Sequence, residues 1–373
     1  MPRPIQARID LDALNNNLRV ARRAAPATRM MAVIKANGYG HGLLRVAEAL
    51  SDAEGFALLD IQDAIRLREA GYRQTILLLE GFFGTDDLEL VAEYDIASVI
   101  HCDWQIDLLD AYPRRGVLDV WLKVNSGMNR LGFVPQQLGQ VLERLGRHGA
   151  VREITLMTHF ANADEARGVS EQLDLFNAAA GAYRLPRSLA NSAALLRYPQ
   201  THGSWVRPGI MLYGASPFAD KTAAELGLKP VMTLTSRIIA TQELRSGDEV
   251  GYGSLFRADH SMRIGIVACG YADGYPRQSG RVEPEAPGTH RPTPGGCATT
   301  GTPVLVGGQR TRTLGRVSMD MLFVDLSTLP QAGVGTPVTL WGEGMPIEEV
   351  ASATGTISYE LMCALTARVP VST

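Results

Sequence analysis

What this sequence lacks narrows it first. It has no paired cysteines: Cys102, Cys269, Cys297 and Cys363 lie far apart and form no CxxC, which argues against a structural metal site and against a disulfide framework. It has no apolar run approaching the ~20 residues of a membrane span. Its start, Met1-Pro-Arg-Pro, carries no apolar stretch of the kind a secretory signal needs. It has no excess of one charge either. A net charge of −3 over 373 residues leaves no basic face for nucleic acid or for a membrane surface. These absences together point to a chain of the reducing cytoplasm, and no internal repeat is evident.

What remains is an ordinary soluble composition, 45% hydrophobic and 20% charged, long enough for two domains. Over the first two hundred or so residues, short apolar runs alternate with stretches of helical periodicity. Strands are expected at 31–35, 55–59, 75–79, 96–100, 118–124, 153–158, 187–190 and 203–206. Helices are expected at 12–25, 42–52, 61–70, 86–93, 103–112, 135–147 and 169–183. Strands without in–out alternation, separated by helices, indicate a parallel sheet covered on both faces. Eight such units fit a closed (β/α)8 barrel. The competing open, doubly wound sheet would carry GxGxxG after its first strand, and Lys35-Ala-Asn-Gly-Tyr-Gly-His-Gly42 does not match that spacing.

Near residue 230 the pattern changes. Segments 231–240, 262–268, 303–306, 312–317, 321–326 and 337–341 read as strands, with Gly307-Gly308 as a hairpin turn and 347–365 as a helix-like tail. The fold class is therefore α/β, a barrel over 1–229 followed by a β-rich domain over 230–373. Segment 279–300, rich in Pro and Gly, reads as a long surface loop or a disordered stretch.

The chemistry of a barrel gathers at the C-terminal ends of its strands. Lys35 and Tyr39 follow the first strand, Arg130 follows the fifth with Lys123 just inside it, His159 follows the sixth, Ser192 the seventh, and Arg207-Pro208-Gly209-Ile210 the eighth. Burial lowers a lysine's pKa, which suits Lys35 to Schiff-base formation or to proton transfer. Each residue also has an ordinary reading: a solvated strand-end lysine, a helix cap for Ser192, a surface ion pair for Arg207, a core histidine for His159. Jointly, a lysine, a phosphate cradle at the seventh and eighth strands and a positive wall fit a pyridoxal phosphate site.

Six motifs carry a resemblance that spans the chain. They are Ala32-Val-Ile-Lys-Ala-Asn-Gly-Tyr-Gly-His-Gly42, Lys123-Val-Asn-Ser-Gly-Met-Asn-Arg-Leu-Gly132, Arg207-Pro-Gly-Ile210, Val250-Gly-Tyr-Gly253, Gly270-Tyr-Ala-Asp-Gly274 and Ser318-Met-Asp320. With them the chain resembles the alanine racemases, and most the catabolic proteobacterial type. The resemblance implies pyridoxal 5'-phosphate as cofactor, alanine as substrate, no metal, and D-alanine metabolism as the setting, whether catabolic or as peptidoglycan precursor supply.

It also implies roles by position. Lys35 matches the cofactor-bonding lysine, and Tyr39, Ser192, Gly209, Ile210 and Tyr359 match phosphate-binding positions. Arg207 matches the donor to the pyridine nitrogen, and Arg130 the arginine near the cofactor's phenolic oxygen and the substrate carboxylate. Lys123 matches a lysine carbamylated in many members. Tyr252 matches the second catalytic base, His159 its hydrogen-bonding, cofactor-side neighbour, and Tyr271 and Met319 substrate-side positions. In the family the tyrosine and methionine come from the other subunit of a homodimer. The departure is segment 279–300, where relatives are much shorter.

Racemisation removes the α-proton on one face and returns one on the other, so two bases on opposite faces are expected, Lys35 for the D face and Tyr252 for the L face. A free tyrosine titrates near pH 10, so the phenol needs cationic neighbours. Arg207, with His159 as a second source, is expected to supply that field. Arg207 against the pyridine nitrogen leaves it unprotonated, trading carbanion stability for fewer side reactions. Tyr271 and Tyr359 are expected to narrow the pocket to alanine, although serine adds only a hydroxyl. Two rivals share parts of the pattern. A barrel-type decarboxylase of basic amino acids would need a cysteine near the site in its second domain, and Cys363 falls outside that pattern. A non-enzymatic cofactor-binding barrel would lack the second domain altogether.

Overall fold

The computed structural model describes residues 3–112, 115–279 and 301–373. They divide into two compact units, Asp12–Lys229 and a second made of Met1–Leu11 with Pro230–Thr373. The first strand of the chain, β1 (Gln6–Ile9), was not foreseen. It pairs antiparallel with a strand of the second unit, from Gln6↔Thr235 to Ile9↔Met232.

The first unit is a closed barrel of eight parallel strands. In order these are β2 (Arg29–Val33), β3 (Gly55–Leu58), β4 (Thr75–Leu78), β5 (Ala97–Ile100), β6 (Leu118–Lys123), β7 (Val151–Met157), β8 (Arg187–Ser188) and β9 (Trp205–Val206). β9 returns to β2 through Arg29↔Trp205 and Met30↔Val206. Every residue of β3 and β5 is buried, as strands covered on both faces require. The helix Leu138–Arg147 shows how the covering layer is specified. Leu138, Val141, Leu142 and Leu145 recur at helical spacing and all four are buried. Short elements went unread in the sequence, among them a helix at Ser192–Arg197 and 3-10 turns at Pro199–Thr201 and Ile210–Tyr213.

The second unit contains β10 (Met232–Leu244), β11 (Glu249–Val250), β12 (Phe256–Arg257), β13 (Met262–Val267), β14 (Pro303–Val306), β15 (Gln309–Leu314), β16 (Leu322–Asp325), β17 (Pro337–Trp341) and β18 (Val371–Ser372). Pairings run β10–β13–β16–β15–β14–β17 and back to β10, so this sheet closes on itself, with β1 and β18 appended. Gly307 and Gly308, at φ 56 and 79, form the two-residue turn between β14 and β15.

β15 begins three residues earlier than expected and ends at Leu314, because Gly315 turns left-handed (φ 59) against the carbonyl of Val250. The expected tail helix is two, Ile347–Ala353 and Ser358–Cys363. Between them Gly355 (φ 70) and Thr356 donate to Ser352 and Ala351, a left-handed cap that stops the first helix. Of segment 279–300, only Ser279 lies within the described residues. Instead of starting a surface loop it is buried, with its hydroxyl 2.9 Å from that of Thr313.

Candidate active site

β2 ends at Val33, two residues before Lys35. The chain then enters a turn of unusual hand. Ala36, Asn37, Gly38 and Tyr39 all have φ between 51 and 63. For residues with a side chain, left-handed backbone costs about 1–2 kcal/mol each, so something must hold it. Backbone bonds do part of this: Gly38 N–H to Ile34 O at 2.9 Å, Gly40 N–H to Ala36 O at 3.0 Å and Gly42 N–H to Asn37 O at 2.8 Å. The Asn37 side chain accepts from Leu43 N–H at 2.8 Å and ties the turn to helix Leu43–Ala49. Gly38 suits its φ of 63 without the cost its neighbours bear, and a Cβ there would lie 2.8 Å from Val46 Cγ2. Lys35 emerges half-buried.

Tyr39 is buried and stacks on Tyr213 with ring centroids 4.4 Å apart. The Tyr39 hydroxyl reaches the backbone of Gly209, where a Cβ would come within 2.9 Å of it. Gly209 N–H donates to Ser192 Oγ at 2.8 Å. Ser192 does not cap its helix. Asn191 does, accepting from Ala194 N–H at 3.0 Å, which leaves the Ser192 hydroxyl turned toward Gly209. Ile210 starts the 3-10 turn that follows. Two hydroxyls and a loop that tolerates no side chain thus meet after β8 and β9, the place where barrels bind phosphate.

Arg207 is buried rather than in a surface pair. One terminal nitrogen donates to Ser188 O (2.6 Å) and Oγ (2.7 Å), the other to Thr158 O (2.6 Å) and Leu189 O (3.3 Å). Its Nε–H is engaged in none of these bonds. Burial lowers this guanidinium to about 10, so it stays charged at neutral pH.

Lys123 is buried at the end of β6. Its amine is pushed down to about 8, first by burial and then by Arg207 and Arg130, with Glu80 opposing and Lys35 adding. His159 is held well below its ordinary value by burial and by Arg207, Lys123, Arg130 and Lys35. It is therefore neutral, and the expectation that it adds positive charge is corrected: only the arginine can. Arg130 is exposed on a loop organised by the Asn125 side chain, which accepts from the N–H groups of Gly127 and Asn129. A small cleft, no larger than about one water, lies between Lys123, Met128, Arg130 and His159. Among the described residues, Lys123, Arg130 and Arg207 make no ion pair, and no cluster suits a metal ion. Such a surplus of fixed cations suits an anionic ligand.

The structure thus brings together Lys35, Tyr39, Lys123, Arg130, His159, Ser192, Arg207, Gly209 and Ile210 in the barrel unit. The other four site residues stand in the second unit, with Tyr252 69%, Met319 52%, Tyr271 38% and Tyr359 38% exposed. Tyr252 projects from a turn between Gly251 and Gly253 (φ 72 and 76). The turns bearing Tyr271 and Met319 are stitched together, Tyr271 N–H to Ser318 O and Ala272 N–H to Met319 O.

Sequence reasoning missed what holds them. Asp273 is fully buried, bonded to Arg3 at 2.7 Å and to Gly270 N–H at 2.9 Å, with Arg368 at 3.3 Å. Arg3 and Arg368 also reach Asp320. The one sequence signal was an acid inside a glycine-flanked turn. Tyr213, missed as well, carried none.

Comparison with known proteins gives the chain its family. Residues 9–217 match the model of the alanine racemase N-terminal domain, and 231–373 that of the C-terminal domain. An alanine racemase of Nitrosospira multiformis is 60% identical over 99% of both chains. A catabolic alanine racemase of Klebsiella aerogenes is 53% identical over 100% of both. Among solved structures, the biosynthetic alanine racemase of Pseudomonas aeruginosa superposes with a TM-score of 0.91 at 46% identity, covering 99% of each chain. That of Bartonella henselae, described with covalently bound pyridoxal phosphate, does so at 0.83 and 27% identity, again covering 99% of each.

Proposed function

This chain belongs to the alanine racemase family, and we propose that Lys35 and Tyr252 are the two bases of its reaction, the pyridoxal-phosphate-dependent interconversion of L- and D-alanine. The residues present fit the cofactor. Tyr39, Ser192, Gly209 and Ile210 form a cradle for its phosphate, with Tyr359 as the matching position of the second unit. The close approach at Gly209 is the observation that carries this assignment, since a Cβ there would collide with the Tyr39 hydroxyl. When bound, the cofactor supplies an electron-accepting ring that stabilises the charge left at Cα.

The chain's own residues do the rest. Lys35 would hold the cofactor, and its amine would take or return the Cα proton on the D face. Tyr252 Oη does the same on the L face. Arg207, whose terminal nitrogens are fixed by four oxygens, would donate from Nε–H to the ring nitrogen. Arg130 receives the substrate carboxylate, and Tyr271 and Met319 bound the pocket to a methyl-sized side chain. With His159 neutral, Arg207 supplies the fixed positive charge beside it in the barrel unit.

The exposure of Tyr252 and Met319 supports a homodimer in which the partner supplies them. Among the described residues no helix is long and apolar enough to cross a membrane.

Single-turnover kinetics of Tyr252→Phe test the pair. Loss of at least ~100-fold in proton removal from L-alanine, with D-alanine less affected, is expected. Equal retention in both directions would refute the assignment.

A further inference from the structure

One residue of the lysine-bearing motif has no part in this account. His41 is completely buried, two residues beyond Tyr39. Its Nδ1 lies 3.0 Å from the carbonyl oxygen of Gly38 and 2.8 Å from that of Tyr39. Both partners are acceptors, so the ring proton sits on Nδ1 and is shared between them. Nε2 has no hydrogen-bond partner, as the lone-pair side of such a ring would show.

The ring also packs at 4.8 Å against Tyr213, the residue on which Tyr39 stacks. Tyr213 donates its hydroxyl to Val33 O at 2.9 Å, just before Lys35. On the outer side, Arg45 holds the His41 carbonyl at 2.6 Å. The two carbonyls to which His41 donates, those of Gly38 and Tyr39, lie within the left-handed run Ala36–Gly40.

We propose that His41 is a positioning residue: its Nδ1–H latches the left-handed turn and so sets the places of Tyr39 and Lys35 toward the cofactor. A ring that merely filled core volume would need no donor at this atom. Burial pushes the imidazole down to about 4, so the neutral donor persists across the working pH range. The inference rests on the reading of Tyr39 and Lys35 as cofactor residues.

The test compares two amides. Asparagine at 41 places a donor near the Nδ1 position, whereas glutamine of similar polarity places it near Nε2. Release of pyridoxal phosphate from full-length holoenzyme on dilution, followed by absorbance, is the readout. His41→Asn is expected within ~3-fold of the parent and His41→Gln to release at least ~10-fold faster. Equal release rates for the two variants would overturn the latch. Tyr39→Phe separates the two ideas. Fast release by Tyr39→Phe with unaffected His41 variants defeats the latch alone, while unchanged release by Tyr39→Phe defeats the cradle on which it rests.

Discussion

Lys123 shows how much a single environment can do. Its amine is buried beside two guanidiniums and titrates near 8, so folding disfavours its charged form. Near pH 8 about half of it is a neutral, nucleophilic amine, the form that adds carbon dioxide. A carbamate there would replace a cation among cations by an anion that Arg130 and Arg207 can neutralise. We therefore expect a carbamate carbon signal in holoenzyme equilibrated with ¹³C-bicarbonate, rising between pH 7 and 9 and absent in Lys123→Met. A spectrum identical for parent and variant would exclude the modification. Arg207 is shaped by its surroundings in the other sense. Backbone carbonyls and a hydroxyl, not a carboxylate, satisfy it, so its positive charge is left available to the site.

At the scale of elements, two turns matter more than any helix. The Lys35–Tyr39 turn runs against the preferred hand of L-residues and persists because neighbouring backbone and His41 over-determine it. The Gly270–Gly274 turn is held by charge. Asp273 takes Arg3, Arg368 and a backbone N–H in a position closed to water. Arg3 and Arg368 are each more than a third exposed and can turn to water, so losing Asp273 costs chiefly the bond to the Gly270 N–H, about 1–3 kcal/mol. Asp273→Ala should lose stability on that scale in denaturant unfolding. Because the same network ties Tyr271 to Met319, its KM for alanine should rise more than its kcat falls. A variant with parental unfolding midpoint and KM would show the network to be incidental.

On the scale of the whole molecule, the barrel unit carries one proposed base and the second unit the other. Tyr252 and Met319 are more than half exposed in the single chain. If a partner subunit's tyrosine completes each site, two dead variants should rescue one another. Mixing Lys35→Ala with Tyr252→Phe after dissociation would give mixed dimers with one intact site, and random pairing predicts about a quarter of parental activity. No recovery in proven mixed dimers would mean that each chain completes its own site.

The amino-acid sequence by itself determined the layout. Strands covered on both faces need short apolar runs, and those of β3, β4 and β5, with the helices between them, are visible because such burial excludes polar residues. The glycine-rich motif after the first strand, and the residues following the later strands, located the candidate site for the same reason. Tertiary structure decided what those residues are. That β1 leaves the barrel half for the second unit depends on a partner strand more than two hundred residues away. That Ser192 faces Gly209 instead of capping a helix, that His159 is neutral, and that Arg207 is satisfied by carbonyls all depend on neighbours distant in sequence. Periodicity records which side of an element is buried. It carries no trace of the acceptors and charges that other elements bring to it, and those set handedness, protonation and position at this site.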